Sequence, residues 1–322
     1  MGRKQSALQI VLDDRKKLVN TIIDNMEKGY VLTNAKWNHV ALNPQNPISC
    51  VSYKGGNKLK LMNEVIENGY TDPRWMTAIQ IRDAGYKLSG TAKGKGVICE
   101  KWIFTKEVKV INPKTGKRES KIVKLDKPKV SFFKVFNAEY VLGIPQFISK
   151  KPTDDVLVLA DQFINTSECK ILEVAQDRAF YNWEKDKIVL PLRESFKDSE
   201  SFFSITIHEL GHSTGHESRL NRKSGMFGDA DYAKEELRAE ISSLFVCNDI
   251  GIANSGEVFQ DHSNYLQSWI EILMNDYNEL FRACADAEKI SDRLLDNYTK
   301  KYQLDRTVTC IPKMDRINVK TI

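Results

Sequence analysis

His208 and His212 stand four residues apart, with Glu209 directly after the first, in the stretch His208-Glu209-Leu210-Gly211-His212. On an α-helix such a pair shares one face, with Cβ atoms about 5–6 Å apart. Two imidazoles at that spacing can bind one zinc ion, and Glu209 is then placed to move a proton on a water that the ion activates. The bland alternative is a buried helix whose histidines only hydrogen-bond, but such a helix has no need of a glutamate at 209. Ser199, Glu200 and Ser201 are N-cap candidates for this helix. Phe202, Phe203, Ile205, Ile207 and Leu210 give it enough apolar character to be buried. Gly211 costs about 1 kcal/mol against alanine in a helix, which predicts close approach of another element there.

A catalytic zinc takes three protein ligands and keeps a fourth position open. Ten residues after His208 stands Ser218, and His216 comes two residues too early, so the long motif with a third histidine is not followed. Residues 232–245 read as a second helix, with Leu237, Ile241, Leu244 and Phe245 as its apolar stripe. Glu236 and Glu240 fall four apart on one face. Glu236 as ligand and Glu240 as the carboxylate that orients a histidine would resemble zincins of the thermolysin type, the gluzincins. The reverse assignment and Glu235 stay open, as does a simple solvated face. With that ligand set the predicted reaction is peptide-bond hydrolysis, Glu209 taking a proton from water and passing it to the leaving amine. Tyr232 and Arg219 are candidates for transition-state or substrate contacts, or else ordinary packing residues. Residues 179–192 fit a strand, or a hairpin turning near 184–187, that could add an extended peptide by backbone pairing. Pro191 suits an edge position there.

Charge divides the chain. Residues 1–150 hold 27 Lys+Arg against 13 Asp+Glu, whereas residues 151–322 hold 21 against 30. The break at Ser149-Lys-Lys-Pro-Thr-Asp-Asp suggests two domains, 1–150 and 151–322, the first of which meets a polyanion. No apolar run is long enough to span a membrane and the first residues lack an apolar signal core, so a cytoplasmic protein is expected. Six scattered cysteines without a CxxC pair read as reduced core residues.

The basic half reads as α+β. Helices are predicted over 8–28, 58–68 and 77–84, and strands over 96–104, 107–111, 121–125 and 130–137, with Asn112-Pro-Lys-Thr-Gly-Lys as a turn. Aromatic and basic residues interleave: Trp37, Tyr53-Lys54, Arg74-Trp75, Tyr86-Lys87 and Lys101-Trp102. Lys87 to Gly96 forms a basic, glycine-rich loop containing Lys93 and Lys95. Bases stacked on aromatics and phosphates paired with lysines would bind single-stranded nucleic acid. A lysine-rich surface over core aromatics explains the same composition equally well.

The chain as a whole resembles the ArdC-type antirestriction proteins of plasmids and phages, and its first half is similar to the matching part of TraC-type primases. The resemblance rests on Tyr53-Lys-Gly-Gly-Asn57, on Trp75 to Gly85 leading into Lys93-Gly-Lys-Gly-Val97, and on Phe136-Asn137 with Tyr140. It continues through Ile188-Val-Leu-Pro191, His208 to His216 with Arg219-Leu220, Tyr232-Ala to Glu240, and His262 to Ile270, covering roughly 8–290. Residues 34–48 depart from the pattern, where a richer proline and tryptophan segment is expected. The resemblance implies an N-terminal α+β domain that binds single-stranded DNA, with Tyr53, Lys54, Asn57, Trp75, Lys87, Lys93, Lys95 and Trp102 as contacts. It implies a zincin-like metallopeptidase domain after it, with Zn2+ on His208, His212 and Glu236. The expected role is shielding mobile DNA from restriction, with a host defence protein as one class of substrate. The alternative is a DNA shield without proteolysis, whose metal is structural or vestigial.

Overall fold

The structure, a computed structural model, describes residues 5–28, 39–148, 155–222, 225, 229–252 and 262–304. Trp37, most of the polar stretch at 149–155 and the tail from 306 lie outside the described residues. The N-terminal half holds α1 (Ala7–Glu27), β1 (Gln45–Asn46), β2 (Val51–Ser52), α2 (Gly55–Asn68), β3 (Trp75–Thr77), α3 (Ala78–Asp83) and β4 (Lys87–Leu88). It continues with β5 (Val97–Ile111), β6 (Arg118–Asn137) and β7 (Val141–Leu142). The C-terminal half holds α4 (Val156–Asn165), β8 (Lys170–Val174), β9 (Phe180–Asn182), β10 (Lys187–Pro191), α5 (Ser199–Ser213), α6 (Ala230–Ile250), α7 (His262–Asn275) and α8 (Asn278–Tyr302). This is the expected α+β architecture. No described helix is long and apolar enough to cross a membrane.

The four predicted strands between 96 and 137 are two. β5 and β6 pair antiparallel along almost their whole lengths, from Val97–Val135 out to Ile111–Arg118, with β3 on the other side of β6. The apparent break at 126–129 is a bulge. Between the Ile103–Lys129 and Thr105–Lys124 pairs, one residue of β5 faces four of β6, Pro128 among them. Proline is tolerated in a strand at such a place because no ladder hydrogen bond is asked of it.

The halves share one core. Leu18, Val19 and Ile22 of α1 and Leu61 and Met62 of α2 pack in a single buried cluster with Leu237, Ile241 and Phe245 of α6 and Leu280 and Phe281 of α8. Gly56 makes the contact of α2 with α8 close, since a Cβ there would fall 2.4 Å from the Phe281 ring. Polar bridges cross the same seam. Lys58, 2% exposed, donates to Asp249 Oδ1 at 2.6 Å, and Arg15 joins Glu100 of β5 to Asn278 of α8. A second core lies under α4, α5 and the sheet of order β8-β10-β9. Cys99, Cys169, Cys247 and Cys284 are free, as expected, but Cys50 is disulfide-bonded, which corrects the reading of six reduced thiols.

Candidate metal centre

The N-cap of α5 is Asp198, not one of the residues that follow it. The Asp198 carboxylate accepts from the Ser201 N–H at 2.8 Å, supplying the cap a helix start needs. The helix is buried on nearly all sides because α4, β9, β10, α6 and α8 surround it. Gly211 permits the closest of these approaches: a Cβ there would sit 2.9 Å from Ser242 Oγ and 3.7 Å from Ala239 Cα, both on α6. α6 is capped by Asp229 and stops at Gly251, which takes the left-handed φ of 77° that favours glycine. This packing puts the His208-to-His212 face of α5 against the Glu236-to-Glu240 face of α6.

Three ligand atoms converge there. His208 Nε2 and His212 Nε2 lie 3.1 Å apart. Glu236 straddles them, Oε2 at 3.4 Å from His208 Nε2 and Oε1 at 3.4 Å from His212 Nε2. These are the separations of ligand atoms grouped around one small cation with bonds of about 2 Å. Among the described residues, this trio is the one group so arranged. Two imidazole nitrogens facing each other and a carboxylate, all buried, fit a divalent metal. His216 turns away, its Nδ1 2.8 Å from Ser218 Oγ.

Each histidine has its own supporting carboxylate behind it. Glu240 Oε2 lies 3.5 Å from His208 Nδ1, too far for a good hydrogen bond, and both groups otherwise lack a partner. Glu235 Oε1 lies 3.4 Å from His212 Nδ1. Glu235 is gripped in turn by Arg222, whose Nη2 donates to Oε1 at 2.6 Å and Nε to Oε2 at 3.0 Å. The same guanidinium donates to Gly211 O at 2.9 Å and Thr214 Oγ1 at 2.7 Å, tying the clamp to the end of α5. Nothing in local spacing marks Arg222, which stands in a loop thirteen residues before Glu235. Outer partners of this kind hold ligating imidazoles in tautomer and direction. Arg222→Ala is therefore expected to weaken metal binding by about 10–100-fold, read by competition against a chromophoric chelator; unchanged affinity would remove Arg222 from the site.

Burial and charge set the protonation of the metal-free centre. Burial opposes charge on His208, yet Glu236 and Glu240 beside it hold its pKa well above the usual histidine range. Burial likewise opposes charge on His212, but Glu236 and Glu235 push it up to about 9. Burial favours a neutral Glu236, and the two imidazoles overcome this, holding it well below the usual carboxylate range. Metal must displace these protons. Apparent metal affinity is therefore expected to rise with pH up to at least about 9, where His212 gives up its proton. The imidazolium pairing stabilises the metal-free fold fully below the unfolded histidine value and is lost as pH rises through the folded one. Melting temperatures without metal should thus fall between about 6.5 and about 9, where metal uptake is still improving. A flat uptake curve would contradict the assignment.

Glu209 lies beside the trio, buried, with Oε2 unpartnered. Burial raises its pKa, while the two histidines and the Tyr181 N–H of β9 favour its charged form. β9 is the outer strand of its sheet, pairing with β10 on one side, and the hairpin turns at 183–186 as expected. Pro191 belongs to the central strand β10, beyond the three residues that pair with β9. Tyr232 is in the first turn of α6, four residues before Glu236 and so on its face. Arg219 is engaged elsewhere: its guanidinium binds Asp186 and the Tyr181 hydroxyl, and its Nε donates to Ser213 O.

The residues named for nucleic-acid contact divide between interior and surface. Trp75 is 0% exposed and offers no face to a base. Tyr53 donates its hydroxyl to Trp75 O at 3.0 Å, and Asn57 exchanges two hydrogen bonds with the Glu100 backbone. Lys54 pairs with Asp292 and Glu288, and Trp102 is half-buried beneath the Arg15 guanidinium. Lys87, Lys93 and Lys95 are exposed, Lys95 reaching Asn68 at 3.4 Å.

A HExxH helix, a glutamate from the next helix and an edge strand define the class, a zincin-like metallopeptidase domain. Residues 159–286 match the family described as zincin-like metallopeptidase, and residues 13–137 match the N-terminal domain of anti-restriction factor ArdC. In its two matched domains and in its fold the chain is similar to the ArdC type of antirestriction protein. The metal-free crystal structure of ArdC from plasmid R388 superposes with a TM-score of 0.69 at 26% identity, covering 89% of this chain and 98% of that one. The Mn(II)-bound structure of the same protein gives 0.67 at 26% identity, covering 88% and 97%. An Escherichia coli DNA primase TraC is 38% identical over 277 residues, 83% of this chain but 25% of its own length, so the chain spans about a quarter of that relative.

Proposed function

We propose that this chain is a zinc-dependent peptidase that binds single-stranded DNA and protects incoming mobile DNA from restriction. The observation that carries the peptidase reading is the buried convergence of His208, His212 and Glu236 with Glu209 Oε2 unpartnered beside them. A divalent ion held there supplies Lewis acidity, activating water and polarising the scissile carbonyl. Glu209 takes the proton of the attacking water and returns it to the leaving amine. Glu235 and Glu240 keep the two imidazoles aimed. The open edge of β9 receives an extended peptide by backbone pairing, which tolerates varied sequence. A host defence protein is the substrate class that fits the antirestriction role. Zinc suits two imidazoles and one carboxylate, although the Mn(II)-bound relative makes manganese the metal to test beside it.

The single-strand reading draws support from the ArdC-type N-terminal match and from the basic excess of the first half. The competing reading is a DNA shield with a structural metal. Structural zinc takes four protein ligands, and the described residues gather three, which favours an open, catalytic site. The test is incubation with unfolded protein substrates, with and without single-stranded DNA, zinc and a chelator. Chelator-sensitive fragments support a peptidase. Intact substrate under every condition, with DNA binding retained, would leave the shield.

A further inference from the structure

The outer part of the β5–β6 hairpin leaves the body of the protein. From Thr105 to Ile111 and from Arg118 to Lys124 no residue is buried, and both faces of the ribbon meet solvent. Seven paired positions at about 3.3 Å each make an arm of about 23 Å. An isolated two-stranded ribbon gains little from its own packing. This one nevertheless exposes Ile111 by 66% and Ile122 by 74%.

Its charge is mostly of one sign. Between 105 and 124 there are seven basic residues against Glu107 and Glu119. Both faces share the charge: Lys109, Arg118 and Lys124 lie on one, Lys106 and Lys121 on the other. Among the described residues none of these side chains makes an ion pair. The contrast with Arg15, Lys54, Lys58 and Lys60 is sharp, for each of those is matched by a carboxylate inside the fold. Uncompensated cations on a protruding ribbon complement a polyanion.

The ribbon holds no aromatic residue from 105 to 124, so it lacks the stacking platforms that single strands use. Its shape suits another form of nucleic acid. The major groove of B-DNA, about 12 Å wide, admits a two-stranded β-ribbon, whereas that of duplex RNA is too narrow. We propose that the outer β5–β6 ribbon is an arm that enters the groove of duplex DNA, with its lysines on the flanking phosphates. The chain would then engage duplex DNA through the arm independently of any single strand bound elsewhere. The proposal does not rest on single-strand binding, and the two can fail separately.

The test uses the full chain and the variant Lys106→Glu/Lys109→Glu/Lys121→Glu/Lys124→Glu. Three probes are compared by fluorescence anisotropy at low salt: a blunt DNA duplex, one strand of the same sequence, and an RNA duplex. The variant should bind duplex DNA at least about tenfold more weakly, and its plot of log affinity against log salt should flatten by about 3–4. Affinity for the single strand should change by less than about threefold. A quadruple Lys→Gln variant, checked for unchanged circular dichroism and metal content, separates charge loss from misfolding. Absence of duplex binding in the wild type, an equal loss on both DNA probes, or tighter binding of duplex RNA would each overturn the arm.

Discussion

Glu209→Gln is expected to lower peptide hydrolysis by about 10²–10⁴-fold, the range for loss of a positioned general acid–base, while the metal stays bound. The substitution keeps the size of the side chain and leaves His208, His212 and Glu236 in place. Its glutamine can still accept from the Tyr181 N–H that faces the native carboxylate. It cannot take a proton from water. Metal content by mass spectrometry and the melting temperature should therefore match the wild type while cleavage disappears. A variant that cleaves at the native rate would show that Glu209 does not carry the proton. A variant that loses metal would make the residue part of the metal's support.

Replacing both histidines has a larger structural cost than replacing the glutamate. His208→Ala/His212→Ala should bind no metal at the site and also lose about 3–5 kcal/mol of stability, the usual penalty for a buried charge stripped of its partner. The reason lies in what stays behind. Glu236 and Glu240 are 8% and 1% exposed, and in the native centre the imidazoles are the cations that face them. Without those rings burial favours the protonated carboxyls. For the metal-free protein the loss should accordingly shrink as pH falls toward 5 and be larger near 6.5, the pH above which the wild type begins to lose its own imidazolium pairing. Denaturant titrations at both pH values measure it, and a pH-independent loss would assign the cost to the cavities left by the rings. Adding Glu236→Gln to the double variant should recover part of the stability without recovering metal binding.

Much of this centre could be read from residue order because a helix converts spacing into geometry. His208, Glu209 and His212 needed only the helix period, and Glu236 with Glu240 needed only a second helix facing the first. Gly211 announced the close crossing that brings the two together, and Ser242 and Ala239 of α6 make it. The guanidinium that grips the outer carboxylate was not legible. Arg222 reaches Glu235 through a loop, and loops carry no period from which such a contact could be inferred. The cap at Asp198 escaped for a smaller reason, since serines next to it have the same preference. The four predicted strands became two because pairing with a partner carries a strand across a locally poor stretch, as the bulge beside Pro128 shows. The aromatic residues misled most. Composition cannot tell a stacking face from a core ring, and Trp75 is wholly inside.

Charge suggested two separate bodies, yet α6 belongs to both. One side of it presents Glu235, Glu236 and Glu240 to α5, while Leu237, Ile241 and Phe245 belong to the buried cluster that also holds residues of α1, α2 and α8. A fragment cut to the C-terminal half would open that side of α6 to water just where the helix must hold its ligand in register. The halves should therefore melt in one cooperative step, visible as a single calorimetric transition. They would also resist being traded between relatives as cassettes. Recombination at the polar stretch near residue 150 would have to re-cut the seam around Lys58, Gly56 and Phe281 before the hybrid could hold a metal.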